Sequence, residues 1–97
     1  MERGLINITT ATTTKLMDFS DTQTRIRSIS LTNWGALIAG VDVYIEDTAG
    51  NKSYYLSTYM PGKTTIVLDD VTFDNRLLKL VCVTTGTTPK ISVIIRS

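Results

Sequence analysis

Residues 41–58, with the sequence VDVYIEDTAGNKSYYLST, decide the class of fold. The first residues of this stretch place valine or isoleucine at every second position, which is the period of a β-strand with one buried face. Gly50 follows, and glycine tolerates the positive φ angle of a tight turn. The chain then resumes the alternation, with Tyr54 and Leu56 predicted on one face and Tyr55 on the other. The stretch therefore predicts a β-hairpin.

The same signals recur on both sides of this hairpin. The composition is biased toward threonine, isoleucine, valine and tyrosine, which fit a pleated, half-buried surface, whereas no segment keeps the apolar period of a helix for long. Short strands separated by turns at spacings of about 8–12 residues predict an all-β fold, an antiparallel two-sheet β-sandwich of the jelly-roll or Ig-like kind with seven to eight strands. The predicted strands cover residues 5–9, 15–19, 25–32, 41–46, 53–58, 64–68, 77–84 and 90–96.

Two further stretches add detail to this sandwich. Residues 77–84 are apolar on both faces, which predicts a central strand covered on its two sides. Pro61 followed by Gly62 matches the second and third positions of a type II turn, in which glycine takes a positive φ angle. We therefore predict a tight turn between the strands on either side of this pair.

The chain of 97 residues fits a single domain spanning residues 1–97. The threonine-rich start is less regular, and residues 1–14 have the alternative of an extended N-terminal arm that adds a strand to a neighbour's sheet. The N-terminus lacks the apolar segment of a secretion signal, and no apolar run approaches the ~20 residues that span a bilayer. We therefore expect a soluble protein made in the cytosol.

The charge balance and two missing residue types narrow the function. Ten basic and nine acidic residues leave a net charge of +1, which provides no field to attract nucleic acid or an anionic membrane. The chain has no histidine and a single cysteine, so the usual nucleophilic triads and zinc sites cannot be built. These absences predict a protein that binds or assembles, with no enzyme activity, no cofactor and no metal.

Cys82 and the aspartates between residues 69 and 74 are the ionisable residues that could form a site. Cys82 lies in an apolar run, which predicts a buried and unreactive thiol. Asp69, Asp70 and Asp74 cluster in one connection, where aspartate commonly forms turns. The alternative for this loop is a calcium site, because Ca²⁺ prefers several carboxylate oxygens held by one loop.

Aromatic and apolar side chains on the predicted outer faces are the candidate interface residues. They are Trp34, Tyr44, Tyr55, Tyr59 and Ile94. Alternation along the strands predicts that Tyr44 and Tyr55 face solvent and that Ile94 faces away from the core. Three interpretations stay open for these residues: pairing across strands, a subunit interface, and a platform on which a ligand such as a sugar stacks.

Several strand and turn phrases together resemble small β-sandwich virion proteins of tailed bacteriophages, particularly those of marine and cyanobacterial phages. The resemblance covers roughly residues 25–97. The phrases are SISLTN (28–33), VDVYIED (41–47), YYL (54–56), MPGKTT (60–65), VLD (67–69), FDN (73–75) and VIIR (93–96).

The resemblance implies a non-enzymatic structural role in the virion, with assembly in the cytoplasm of the host bacterium. It favours a capsid decoration (cement) protein that binds the major capsid protein and forms a homo-oligomer, with a trimer expected. Head–tail neck and tail accessory proteins are the alternatives within the particle. A second interpretation, from the aromatic residues, is a carbohydrate-binding module of a tail fibre that uses Trp34 and surface tyrosines.

Overall fold

The computed structural model describes residues 2–19, 26–69, 71 and 73–96, with side chains described from Leu5 onward. Eight antiparallel strands form two sheets of four, as predicted for a two-sheet β-sandwich. Within the described residues there is no helix, and so none that is long and apolar enough to cross a membrane. The strands are β1 (Glu2–Ile8), β2 (Thr12–Met17), β3 (Ser28–Asn33), β4 (Ala39–Glu46), β5 (Lys52–Met60), β6 (Thr64–Asp69), β7 (Lys79–Thr85) and β8 (Ile91–Arg96).

The strand order selects the jelly roll from the two predicted kinds of sandwich. The first sheet has the order β1-β8-β3-β6 and the second has the order β2-β7-β4-β5. Strand β1 therefore pairs with β8, β2 with β7, β3 with β6 and β4 with β5, all antiparallel. Such nested pairs are those of one long double ribbon rolled into two sheets, with the predicted hairpin of β4 and β5 at its closed end.

The core lies between the two sheets and is filled by the inward-facing residues of the alternating strands. Strand β7 is central in the second sheet, between β2 and β4, as its two apolar faces predicted. The buried apolar side chains of the strands pack as one cluster with those of the connections. Its fully buried members on the strands include Ile29, Leu31, Val41, Val43, Met60, Leu80, Cys82, Ile91 and Val93.

The N-terminal residues belong to the sandwich itself. Strand β1 pairs with β8 of the same chain as far as Ile8, which lies opposite Ile91, and Thr12 lies opposite Thr84 in the pairing of β2 with β7. Burial of Ile8 in the core favours this internal pairing over extension into solvent. The alternative of an extended arm over residues 1–14 is therefore corrected for the described part of this segment.

Most strand boundaries differ from the predicted ones by one to three residues, among them the starts of β2, β3 and β7. Strand β2 begins at Thr12 rather than at residue 15. Strand β7 begins at Lys79 rather than at residue 77, because the Asp74 carbonyl accepts hydrogen bonds from the amides of Leu77 and Leu78, both at 3.0 Å. Strand β3 begins at Ser28, and the predicted start of that strand at Arg25 lies outside the described residues.

Cys82 provides a direct test of the core. Its side chain is buried, and burial, assisted by the negative charge of Asp42, raises the pKa of the thiol to about 12. At pH 8 the thiolate fraction of such a thiol is on the order of 10⁻⁴. We expect the folded protein to resist labelling by iodoacetamide at pH 8, whereas the denatured protein reacts fully. Labelling of the folded protein at the rate of a free thiol would show that the core opens readily.

Candidate functional site

Four connections meet at one end of the sandwich. Strands β1, β3, β5 and β7 end there, and strands β2, β4, β6 and β8 begin there. The register shows this in the first sheet, because Asn33, the last residue of β3, pairs with Ile91 and Thr64, the first residues of β8 and β6. In the second sheet, Ala39 pairs with Met60 at the same end. We call this surface the loop end, and it consists of residues 9–11, 34–38, 61–63 and 86–90.

Asn33 holds the loop end together from beneath. Its side chain is fully buried at the last position of β3. Its amide nitrogen donates hydrogen bonds to the carbonyl oxygens of Leu37 and Met60, both at 2.9 Å, and its amide oxygen accepts one from the backbone nitrogen of Gly35 at 3.1 Å. A single side chain of the first sheet therefore fixes both the 34–38 connection and the end of β5 in the second sheet.

The turn between β5 and β6 packs directly against the 34–38 connection. Lys63 donates from its backbone nitrogen to the Asn33 carbonyl at 2.7 Å and from its Nζ to the Trp34 carbonyl at 2.9 Å. Lys63, and not Gly62, has the positive φ angle, at 63°, so the predicted type II turn is corrected. Gly62 is needed for a different reason, since a methyl group there would lie 2.6 Å from the Ala36 carbonyl oxygen.

The 34–38 connection exposes large apolar side chains on this fixed backbone. Trp34 is 41 % exposed, Leu37 is 54 % exposed and Ile38 is 58 % exposed. Lys90 extends over Trp34, with its Nζ 5.0 Å from the ring centroid, which is the distance of a cation–π contact. Adjacent exposed apolar side chains on a rigid support are typical of surfaces that bind another molecule.

A depression lies beside the loop end, on the outer face of the second sheet. It has a volume of about 470 Å³ and is open to solvent. Tyr59 is 72 % exposed, and its ring lies beside Gly40, to which it is paired across the strands. The Ser57 hydroxyl donates a hydrogen bond to the Asp42 carboxylate at 2.7 Å. The lining consists of Gly40, Val41, Asp42, Ser57, Thr58, Tyr59 and Thr85.

Tyr44, one of the predicted interface residues, is covered by side chains of its own chain. It is 5 % exposed, although it lies on the outer side of β4. The Tyr54 ring packs against it with centroids 5.1 Å apart, and Lys52 Nζ lies 4.9 Å from the Tyr44 centroid. The prediction that Tyr44 faces open solvent is therefore wrong, and cross-strand pairing is the interpretation that its contacts support.

A β-bulge on β5 reverses the predicted faces of Tyr54 and Tyr55. The register shifts between Val43, which pairs with Leu56, and Tyr44, which pairs with Tyr54, so that Tyr55 is an additional residue on its strand. Tyr55 consequently packs against the core, where burial raises the pKa of its phenol. Tyr54, predicted to share a face with Leu56, is instead exposed on the outer face, whereas Leu56 packs against the core.

Ile94 lies on the opposite side of the sandwich from the depression. It is half-buried on the outer face of the first sheet, where it pairs with Leu5 of β1 and Ser30 of β3. Val67 pairs with Ser30 from the other side, and both Leu5 and Val67 are exposed. Of the five predicted interface residues, the structure therefore places Trp34 and Tyr59 on or next to the loop end, and Ile94 apart from them.

The aspartate-rich connection shows a structural use for one of its carboxylates. Asp74 receives two hydrogen bonds from the Arg76 guanidinium at 3.0 Å, and these contacts, with one from the Arg76 backbone amide, lower the pKa of the carboxyl group. Asp69 is exposed at the end of β6, and Asp70 lies outside the described residues. Among the residues that the structure describes, no three acidic or cysteine side chains are grouped closely enough to hold a metal ion.

The residues that support the loop end and shape the depression were not predicted from the sequence. Asn33 followed by a glycine two positions later was an available signal for an Asx turn, in which the side chain binds a nearby backbone amide. The roles of Gly40 and Gly62 had no such signal, because each depends on a segment that is distant in the chain. Asp42 and Ser57 are cross-strand partners whose pairing follows only from the register of the hairpin.

Comparison with known proteins supports the fold. No protein-family model matches the chain, and no curated protein matches it in sequence. A solved structure described as the crystal structure of PirA superposes with a TM-score of 0.63 over 93 % of this chain and 90 % of that chain. The two sequences are 14 % identical. The chain, whose described residues form an eight-stranded two-sheet β-sandwich, is therefore similar to PirA in its overall fold.

Proposed function

We propose that this chain is a non-enzymatic structural protein of a phage virion, a capsid decoration protein that binds the major capsid protein through its loop end. The observation that carries the proposal is the set of exposed apolar side chains on the 34–38 connection, which Asn33 and Gly62 hold in place. The resemblance of residues 25–97 to small phage virion proteins supplies the class of partner. The near-neutral charge of +1 permits many copies to pack closely.

Docking would gain its free energy from burying the side chains of the 34–38 connection. Removing one leucine or isoleucine side chain from water contributes about 1.5–3 kcal/mol. The backbone of this connection is already held by hydrogen bonds from Asn33 and Lys63, so little conformational entropy is lost on binding. A shell that carries many such copies would be stabilised by the sum of many modest contacts.

The proposal is tested by sedimentation with empty capsids of the phage that encodes the chain. We expect the Leu37→Ser, Ile38→Ser double variant to bind about 100-fold more weakly, because two side chains lose about 1.5 kcal/mol each. Leu77→Ser is the matched control, since Leu77 is 66 % exposed and follows Asp74 in the connection at the opposite end. Equal binding by the double variant and the wild type would contradict docking through the loop end.

The oligomeric mass of the protein in solution distinguishes a decoration protein on the capsid from a neck or tail accessory protein. A trimer measured by light scattering favours a decoration protein, whereas a larger ring favours the neck or a tail accessory role. A strictly monomeric protein that fails to bind empty capsids would contradict the proposal as a whole.

A further inference from the structure

The depression beside Tyr59 combines an aromatic platform with oxygen ligands. The Tyr59 ring lies beside Gly40, where a methyl group would lie 3.4 Å from ring atom Cε1 and 3.5 Å from Cδ1, so one edge of the ring adjoins the backbone of β4. The residue is nevertheless 72 % exposed. A ring that neighbouring backbone holds at one edge and that is otherwise largely exposed offers a stacking surface.

The floor of the depression depends on a glycine. A methyl group at Gly40 would collide with the Thr85 hydroxyl, which lies across the strand pairing of β4 with β7. Any larger residue at this position would therefore displace Thr85 and fill the space between it and Tyr59. Three strands consequently contribute to the site, with Gly40 from β4, Tyr59 from β5 and Thr85 from β7.

The polar wall carries a negative charge and hydroxyl groups. Asp42 is half-buried and accepts a hydrogen bond from the Ser57 hydroxyl at 2.7 Å, which orients the carboxylate on the same outer face as Tyr59. A carboxylate accepts hydrogen bonds from hydroxyl groups and repels phosphate and other anions. The lining therefore suits a ligand that is not an anion, is rich in hydroxyl donors and is apolar on one face.

We infer that this depression binds a neutral sugar residue of a glycan, with the apolar face of the pyranose ring on Tyr59 and its hydroxyl groups donating to Asp42 and reaching Thr85. A sugar ring has both properties that the lining requires, since its C–H groups cover an aromatic ring while its hydroxyls point to the sides. The inference goes beyond the proposed capsid docking, which uses the 34–38 connection. Trp34, which was expected in a glycan site together with surface tyrosines, contacts Lys90 and does not line this depression.

The test is binding of the full chain to an array of glycans that end in neutral hexoses, N-acetylhexosamines or sialic acid. Hits are then titrated as free oligosaccharides by saturation-transfer NMR. We expect neutral termini to bind and Tyr59→Ala to lose at least about tenfold in affinity, since removing one stacking ring typically costs this much. Tyr59→Phe, which keeps the ring, should bind nearly as the wild type does.

Matched variants separate binding from folding. Tyr54→Ala removes another exposed tyrosine of the same strand outside the depression and should leave affinity unchanged. Asp42→Asn keeps the shape of the side chain but removes its charge, and it should lower the affinity for neutral sugars. Failure of neutral glycans to bind the wild type, exclusive binding of sialylated glycans, or equal affinity of Tyr59→Ala and wild type would overturn the inference. The Leu37→Ser, Ile38→Ser variant should keep glycan binding, so capsid docking and sugar binding can fail independently.

Discussion

Replacing Asn33 by leucine should lower the free energy of unfolding by about 3 kcal/mol and the melting temperature by roughly 12–24 °C. The substitution keeps the number of side-chain heavy atoms and the branch at Cγ but removes every polar atom of the side chain. The carbonyls of Leu37 and Met60 and the backbone amide of Gly35 each lose the hydrogen bond that the structure shows. A polar group left without a partner in a buried site costs about 1–3 kcal/mol, which explains the size of the effect.

Thr32→Val is the control for Asn33→Leu, and guanidinium denaturation followed by far-UV circular dichroism is the measurement. Thr32 precedes Asn33 on β3, and its hydroxyl meets that of Thr65 at 3.0 Å in an exposed position. Because water replaces an exposed hydrogen bond, this variant should stay within about 0.5 kcal/mol of the wild type. An Asn33→Leu variant that is equally stable would show that the loop end is not held through this amide.

Replacing Gly62 by alanine should displace the 34–38 connection and cost about 2 kcal/mol or more. The added methyl group would lie 2.6 Å from the Ala36 carbonyl oxygen and 2.7 Å from the Gly35 carbonyl oxygen. Both atoms belong to the backbone, so no side-chain rotation relieves the collision, and forced repacking costs about 1–3 kcal/mol. Trp34 is the only tryptophan of the chain and lies in the displaced segment, so its fluorescence emission reports the movement.

Gly50→Ala separates the two ways in which a glycine can be required. Gly50 has a φ angle of +90° and open space around it, so its substitution should cost about 1 kcal/mol of backbone strain without changing Trp34 emission. The φ angle of Gly62 is outside the left-handed region, so alanine can adopt it. At such a position, and without a collision, alanine usually stabilises a protein by reducing the entropy of the unfolded chain. Unchanged emission and an unchanged unfolding midpoint in Gly62→Ala would contradict the close approach.

The loop end shows why sequence patterns predict some features of this protein and not others. The turn at Pro61 and Gly62 is visible in the sequence, because proline and glycine restrict the local backbone. Which residue takes the positive φ angle is not visible, since the contact between Gly62 and Ala36 joins segments that are separated by a whole hairpin. Asn33 likewise acts on Met60, 27 residues away.

The outer face of the second sheet shows the same limit. Alternation correctly puts Val41 and Val43 in the core, but one bulge after Val43 moves Tyr55 inward and leaves Tyr54 outside. A shift of one residue in the strand pairing moves each side chain of the strand to the opposite face of the sheet. No local sequence pattern predicts this shift. The depression at Tyr59 depends on the same pairing, because Gly40, Tyr59 and Thr85 meet only when β5, β4 and β7 are in register.

The sequence by itself determined that the protein is an all-β sandwich, that residues 77–84 contain a central strand and that Cys82 is buried. These features follow from the period of apolar residues and from turn chemistry, which act between neighbours in the chain. Only the tertiary structure decided between jelly-roll and Ig-like order, brought Trp34, Leu37 and Ile38 onto a rigid end, and opened the depression beside Tyr59. Those features depend on contacts between distant segments, where packing and register rather than local preference select one arrangement.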